Sequence, residues 1–338
     1  MRLKLSVAYR IYTSILALIS IAWNFVQAQD PEFSQFYANP VYTNPAFAGS
    51  SRVGRIVMDA RNQWTSISGA FRTFNASYDE HYDFVNGGLG FQATYDQQGV
   101  GTLTTINLNG VYSYQIPLTR KITARAAIQA GVVQKSIDLS KFIWYDQLDK
   151  QKGFVRASAE QITQPVILFP NFAAGFVVYS KSFYAGFAAH NLFEPSQEFF
   201  APDNKALRDS NTVPRRYTGH VGLVIPLIYS KNEKRASNLY PNVMYMQQRQ
   251  FNQLNIGLYI SKGYYVFGLY YRQNSQNADA VILLLGLRTN KLKIGFSYDQ
   301  TVSEARPGAY NSFEVSLAFE LKKRSPKIKI RPIHCPDF

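Results

Sequence analysis

Ser312-Phe313-Glu314-Val315-Ser316-Leu317-Ala318-Phe319-Glu320-Leu321 is the stretch whose reading decides the fold. Phe313, Val315, Leu317, Phe319 and Leu321 occupy one parity, and Ser312, Glu314, Ser316, Ala318 and Glu320 the other. A period of two is the signature of a β-strand, whose successive side chains point to opposite faces. The pattern recurs. Leu254, Ile256, Leu258 and Ile260 alternate with Asn255, Gly257, Tyr259 and Ser261. Leu292, Ile294, Phe296 and Tyr298 alternate with Lys293, Gly295, Ser297 and Asp299, and Leu89, Phe91, Ala93 and Tyr95 with Gly88, Gly90, Gln92, Thr94 and Asp96. Two architectures use such rows. In a transmembrane barrel the apolar row faces lipid and the polar row the lumen. In a soluble sandwich the apolar row faces inward.

Composition leaves both open. Aromatic residues make up 15% of the 338 residues, whereas charged residues reach only 17%, below the roughly 25% usual for soluble domains. The amino terminus narrows the choice. Arg2, Lys4 and Arg10 precede a mostly apolar stretch from Ile11 to Val26, and Val26-Gln27-Ala28 resembles a small-x-small cleavage site. Residues 1–28 therefore read as a secretory signal peptide, to be set aside from the fold. Beyond them no window approaches the roughly 18 uninterrupted apolar residues of a spanning helix. A barrel is the remaining way to cross a membrane.

The predicted strands are 52–64, 70–80, 87–97, 102–116, 121–135, 171–180, 182–191, 215–228, 238–248, 251–261, 264–274, 279–289, 292–300 and 310–321. The one at 238–248 is the weakest, because Pro241 interrupts it. The list describes an all-β, antiparallel up-and-down transmembrane barrel of about fourteen strands. Its connections discriminate better than its strands. The two long gaps, 136–170 and 192–214, both follow odd-numbered strands, while even-to-odd connections such as Ser180-Lys181-Ser182 and Lys262-Gly263 are short. A barrel places both long gaps on one side, with the short turns in the periplasm. A sandwich has no reason to sort its loops by parity. The expected location is the outer membrane, with both mature termini periplasmic.

The flanking segments read differently. Residues 29–51 contain three prolines and no strand or helical period, so they are expected to lie beside or inside the barrel as a periplasmic or lumen-plugging segment. Phe33, Phe36, Tyr37 and Phe47 are its candidate contacts, because rings must be buried somewhere. Arg55, Asp59 and Arg61 share the inward parity of the first strand and are candidates for lumen packing. Residues 322–338 carry six Lys or Arg against Asp337, a large part of the formal charge of +14. This basic tail is expected to extend into the periplasm and dock on an acidic partner, with Lys327, Lys329, Arg331 and Phe338 as contacts. In the long gaps, Trp144, Tyr145, Phe199 and Phe200 are the aromatic anchors expected of an outer binding surface. The lone Cys335 implies no disulfide framework.

No catalytic constellation stands out. His81, His190, His220 and His334 show no metal-ligand spacing, and there is no nucleophile elbow or phosphate loop. Asp79, Glu80, His81 and Asp83 read as a solvated turn. Inward carboxylates such as Asp59 and Glu314 are explained by lumen packing. No enzymatic activity, cofactor, metal or nucleic-acid partner is expected.

Specific motifs then point to a family. Phe33-Ser34-Gln35-Phe36-Tyr37-Ala38-Asn39-Pro40, Asn44-Pro45-Ala46-Phe47-Ala48-Gly49, and Arg61-Asn62-Gln63-Trp64 with Ile67-Ser68-Gly69 closely resemble the start of mature PorP/SprF proteins. The ending Arg331-Pro332-Ile333 with Cys335-Pro336 is also similar. The resemblance implies an outer-membrane protein of the type IX secretion system of Bacteroidota. Such proteins support export or surface attachment of large cargo with a C-terminal sorting domain, in some cases gliding adhesins. The partners it implies are the periplasmic ring or a peptidoglycan-binding, OmpA-like lipoprotein. The alternative is a FadL-type transporter of hydrophobic small molecules, which shares the strand number and an early Asn-Pro-Ala.

Overall fold

The computed structural model of the chain describes residues 30–51, 53–66, 69, 71–99, 102–138, 140, 148–149, 153–154, 165–199, 211–229, 236–274, 278–289, 291–303 and 311–321. Fourteen antiparallel strands close into a barrel. They are β1 (Arg55–Gln63), β2 (Phe71–Tyr82), β3 (Gly87–Gln98), β4 (Leu103–Pro117), β5 (Thr123–Ile137), β6 (Val166–Tyr179) and β7 (Phe183–His190). Then come β8 (Arg216–Leu223, continued by Ile225–Ile228), β9 (Ser237–Gln248), β10 (Phe251–Lys262), β11 (Tyr265–Asn274), β12 (Ala278–Arg288), β13 (Leu292–Thr301) and β14 (Ser312–Glu320). Each pairs with the next, and β14 closes on β1 with Asp59 opposite Ser316 and Arg61 opposite Glu314.

The faces follow the sequence parity. Phe313, Val315 and Phe319 are exposed on the outside of β14, while Ser312, Glu314 and Ser316 are buried inside. Ile256 and Leu258 are exposed on β10, and Gln253, Asn255 and Ser261 are buried. An outward belt of Leu, Ile, Val, Phe and Tyr with a buried polar interior is the inverse of a soluble sandwich and suits lipid contact. The lumen is not polar all round. Tyr240 and Met244 of β9, Tyr259 of β10, Tyr270 of β11 and Ile282 and Leu284 of β12 form an inward-facing apolar cluster. This explains the unbroken run Val281-Ile282-Leu283-Leu284-Leu285 in β12. Leu283 and Leu285 face out while Ile282 and Leu284 face the core, so both parities are apolar.

Three differences from the sequence reading have local causes. Pro241 does not end its strand. The partner β8 is interrupted after Leu223, and in the β8–β9 register Gly222 faces Asn242 while Ile225 faces Leu239. The break in the ladder thus falls opposite Pro241, which has no N–H to donate. The sixth strand starts at Val166, not 171, because Pro170 stands where β6 pairs only with β5. Finally, the prolines of the N-terminal segment do not exclude helical structure. Pro40 opens the short helix α1 (Pro40–Thr43) and Pro45 a 3-10 turn (Pro45–Phe47), the first-turn position where a missing N–H costs nothing.

The connections define two rims. One, the short-turn rim, carries 83–86, 118–122, 180–182, 229–236, 263–264 and 289–291. Its turns use residues that tolerate positive φ, Asn86 at 48° and Gly263 at 61°. At the long-loop rim lie the ends of β5 and β7 and the starts of β6 and β8, so the connections from β5 to β6 and from β7 to β8 leave from there. In the first of these, Leu148–Asp149 pairs with Gly153–Phe154 in a separate two-residue ladder.

Candidate functional site: a filled lumen

From Phe33 to Ser50 the N-terminal segment is buried against the inward faces of the strands, with Gln35, Asn39 and Asn44 at 0% exposure. Three sets of contacts hold it, spread around the wall. The first binds Ser34 and Gln35. Both oxygens of Glu314 on β14 accept backbone N–H groups, from Ser34 at 2.7 Å and Gln35 at 3.0 Å. The Gln35 amide donates to Ser297 Oγ and to the Glu314 carbonyl, and its oxygen accepts from Ser316 Oγ at 2.7 Å. Arg61 on β1 pairs with Glu314 at 3.1 Å and with Asp299 on β13 at 3.0 Å. Arg272 on β11 also reaches Asp299 at 3.1 Å, and the Ser34 hydroxyl joins Arg61, Arg272 and Asp299. Buried ion pairs are tolerable only when their remaining hydrogen-bonding capacity is satisfied. Here the segment supplies three of the donors, the Ser34 and Gln35 N–H groups to Glu314 and the Ser34 hydroxyl to Asp299.

The second set holds Asn44. Its side-chain nitrogen donates to the carbonyls of Phe176 on β6 and Phe187 on β7 at 3.1 and 3.2 Å, and lies 3.0 Å from His220 Nε2 on β8. Its oxygen accepts from Ala46 N at 2.9 Å and caps the 3-10 turn. The wall yields space at Gly175, where a Cβ would stand 2.1 Å from Asn44 Oδ1. The third set captures Ala48 and Gly49. Arg125 on β5, fully buried, donates to the Ala48 carbonyl at 2.6 Å and the Gly49 carbonyl at 2.9 Å. Asp79 on β2 accepts from Gly49 N at 2.7 Å and pairs with Arg55 on β1 at 3.0 Å. Gly49 has φ +68° and lies against Gly88 of β3, leaving no room for a side chain on either.

Aromatic packing fills the gaps between these brackets. Phe36 and Tyr37 enter the apolar sector, where Tyr37 stacks on Tyr270 at 5.7 Å and Tyr259 stacks on Tyr240 at 4.4 Å. Burial lifts the Tyr37 phenol well above its ordinary pKa, so the ring is neutral. Phe47 packs with Ala127, Val177, Tyr179 and Tyr184. Phe33 meets Tyr42 edge-on at 5.0 Å, and the Arg216 guanidinium lies 5.1 Å from the Tyr42 ring centre.

The structure therefore brings together Phe33, Phe36, Tyr37, Phe47, Arg55 and Arg61, the residues singled out for the lumen, around one segment. Asp59 is buried beside them and accepts only a long 3.5 Å contact from Asn75. The cluster at 79–83 is not a solvated turn. Asp79 lies inside strand β2 with 0% exposure, paired to Arg55, and His81 faces Arg125 at 3.2 Å. Only Asp83 of that group is exposed, because inward parity carries 79 and 81 into the lumen. Sequence reasoning passed over Arg125, Arg272, Asp299 and Asn44. Arg125 had a signal: a lone cation at inward parity in the small, apolar run Thr123-Ala124-Arg125-Ala126-Ala127. Phe199 is half-buried and packs on Val133, Ile167, Phe169 and Val213 at the long-loop rim. Trp144, Tyr145, Phe200, Lys327, Lys329, Arg331 and Phe338 lie outside the described residues.

Residues 25–319 match the family described as type IX secretion system membrane protein PorP/SprF. No curated protein matches. Among solved structures, the Acinetobacter baumannii outer membrane protein Omp33 is 8% identical, over 81% of this chain and 100% of that one, with a TM-score of 0.45. The Ralstonia pickettii toluene transporter TbuX is 9% identical, over 84% and 94%, with a TM-score of 0.47. The CymD monoaromatic hydrocarbon channel is 11% identical, over 85% and 94%, with a TM-score of 0.47. The family match across residues 25–319 identifies the chain as a member of the PorP/SprF family of type IX secretion system membrane proteins.

Proposed function

We propose that this protein is a non-catalytic accessory barrel of the type IX secretion system. It binds partner proteins at the outer membrane and supports export or surface attachment of large cargo. Its lumen serves as a braced scaffold and not as a conduit. The observation that carries this reading is the three-bracket clamp on residues 33–50. A segment held by Glu314, Asn44 contacts and Arg125 stiffens the wall around its circumference and occupies the path a solute would take. The binding surfaces are then the loops on one rim and the basic tail beyond β14. Residues 1–28 act as the export signal, and the short-turn rim, where β1 starts and β14 ends, faces the periplasm.

The test is purification of the full chain from outer membrane in mild detergent, followed by identification of what remains bound. Type IX components or cargo bearing a sorting domain are the expected result. A barrel that purifies alone and passes hydrophobic solutes into liposomes would replace this reading with that of a FadL-type transporter.

A further inference from the structure

The short-turn rim has an unbalanced charge. Arg120, Lys121, Lys181, Lys262 and Lys291 are exposed in or beside its turns, and Asp83 is the one exposed carboxylate there among the described residues. Between the N-terminal segment and strands β10–β14 and β1, a cavity of about 60 Å³ opens near this rim. Tyr37, Val57, Val266 and Leu284 give it an apolar lining, and Arg288 and Lys293 stand among its walls. Lys293 is held by Glu320 at 2.9 Å, and Arg288 donates to the Tyr240 hydroxyl at 3.4 Å. An apolar cavity of about 150 Å³ takes benzene. One of this size suits an aliphatic side chain.

We propose that the short-turn rim over β10–β14 is a docking surface for an acidic polypeptide segment that seats one aliphatic side chain in this cavity. The chain's own ends cannot serve as that segment. Residues 322–338, which begin where β14 ends, carry six basic residues against Asp337, and residues 1–29 carry three basic residues and no acid. Like charge repels both from the rim. Anionic lipid head groups match the exposed cations but lie outside the barrel wall, whereas the cavity, though edged by outward Leu287 and Ile294, is lined mainly by inward-facing residues such as Leu284 and Tyr259. An acidic protein segment satisfies both features. Its charges would set the rate and salt dependence of encounter, and the seated side chain would set selectivity.

This inference rests on the partner-binding reading above, and its test separates the two. The full chain in detergent is titrated with a fluorescein-labelled peptide of one leucine flanked by glutamates, and with the same peptide carrying serine in place of leucine. The wild type is expected to prefer the leucine peptide several-fold and to lose affinity as salt rises. K262Q/K291Q should weaken both peptides by about tenfold at low salt and flatten the salt dependence. Ala318→Leu, which fills the cavity from β14, should abolish the preference for leucine and keep the charge-driven binding. Heat-modifiability on gels verifies that each variant is folded. Equal binding of both peptides by all three proteins overturns the docking surface. So does binding to phosphatidylglycerol vesicles that depends on Lys262 and Lys291 while neither peptide binds. If partners still co-purify in either case, the accessory-barrel reading stands without this surface.

Discussion

At the scale of single residues, the lumen is organised by wall cations that reach backbone carbonyls of the N-terminal segment and carboxylates of neighbouring strands. Arg125 is the clearest case, because it is fully buried and bonds two carbonyls, Ser113, Gln115 and Tyr179. Arg125→Met keeps the volume and removes the donors. The Ala48 carbonyl keeps Ser113 Oγ as a donor, and a buried carbonyl left without a partner costs about 1–3 kcal/mol. The variant should unfold at lower denaturant in detergent, and amides of residues 46–50 should exchange faster than those of the strands. Unchanged exchange there would show that Arg125 does not hold the segment. Gly88 is the complementary test. A Cβ on it would stand 2.1 Å from the Ala48 carbonyl oxygen, so Gly88→Ala should loosen the same residues while leaving every ion pair in place.

At the scale of elements, the N-terminal segment behaves as part of the core and not as an appendage. It contributes Phe36 and Tyr37 to one apolar cluster and Ala46 and Phe47 to another. Planar-bilayer recordings of the purified protein should therefore show little open conductance. Removal of residues 33–50 should produce steady currents in whatever fraction assembles. Where the deletion fails to fold, Glu314→Gln tests the same point, since it weakens the acceptor of the Ser34 and Gln35 N–H groups. Large, steady, weakly selective currents from the intact chain would contradict the filled lumen. The split of β8 opposite Pro241 is an element-scale accommodation of the same kind. A residue that cannot donate is placed where its neighbour has already left the ladder.

At the scale of the whole molecule, a closed barrel with no free edge tolerates change at its rims. Deleting 145–160 should leave a heat-modifiable barrel and impair cargo display on cells. Normal surface display in that strain would remove the loop from the binding surface. A chain ending at Lys323 should likewise insert, yet lose its periplasmic partner in pull-downs at physiological salt. Retention of the partner would make the tail dispensable and leave the short-turn rim as the remaining site. Because exposed charges are screened over about 8–10 Å at these salt levels, the tail's contribution should shrink as salt rises.

The alternation of Phe313, Val315, Leu317 and Phe319 with Ser312, Glu314 and Ser316 determined by itself that this chain makes strands with two unlike faces. The parity of the long gaps at 136–170 and 192–214 determined that those strands form a barrel. Both are local signals, a period of two and a connection length, and one sequence carries them. The motifs at 33–49 determined the family in the same way. What the lumen contains was decided by closure. Arg61 meets Asp299, 238 residues away, and Arg125 meets Gly49, 76 residues away, only once the wall returns on itself. Parity places each of these side chains inside, but it does not say which inward cation faces which inward acid. Nor does it say that a proline-rich segment will satisfy what the wall leaves unpaired. Those pairings depend on strand register and barrel tilt, which are collective properties of fourteen strands.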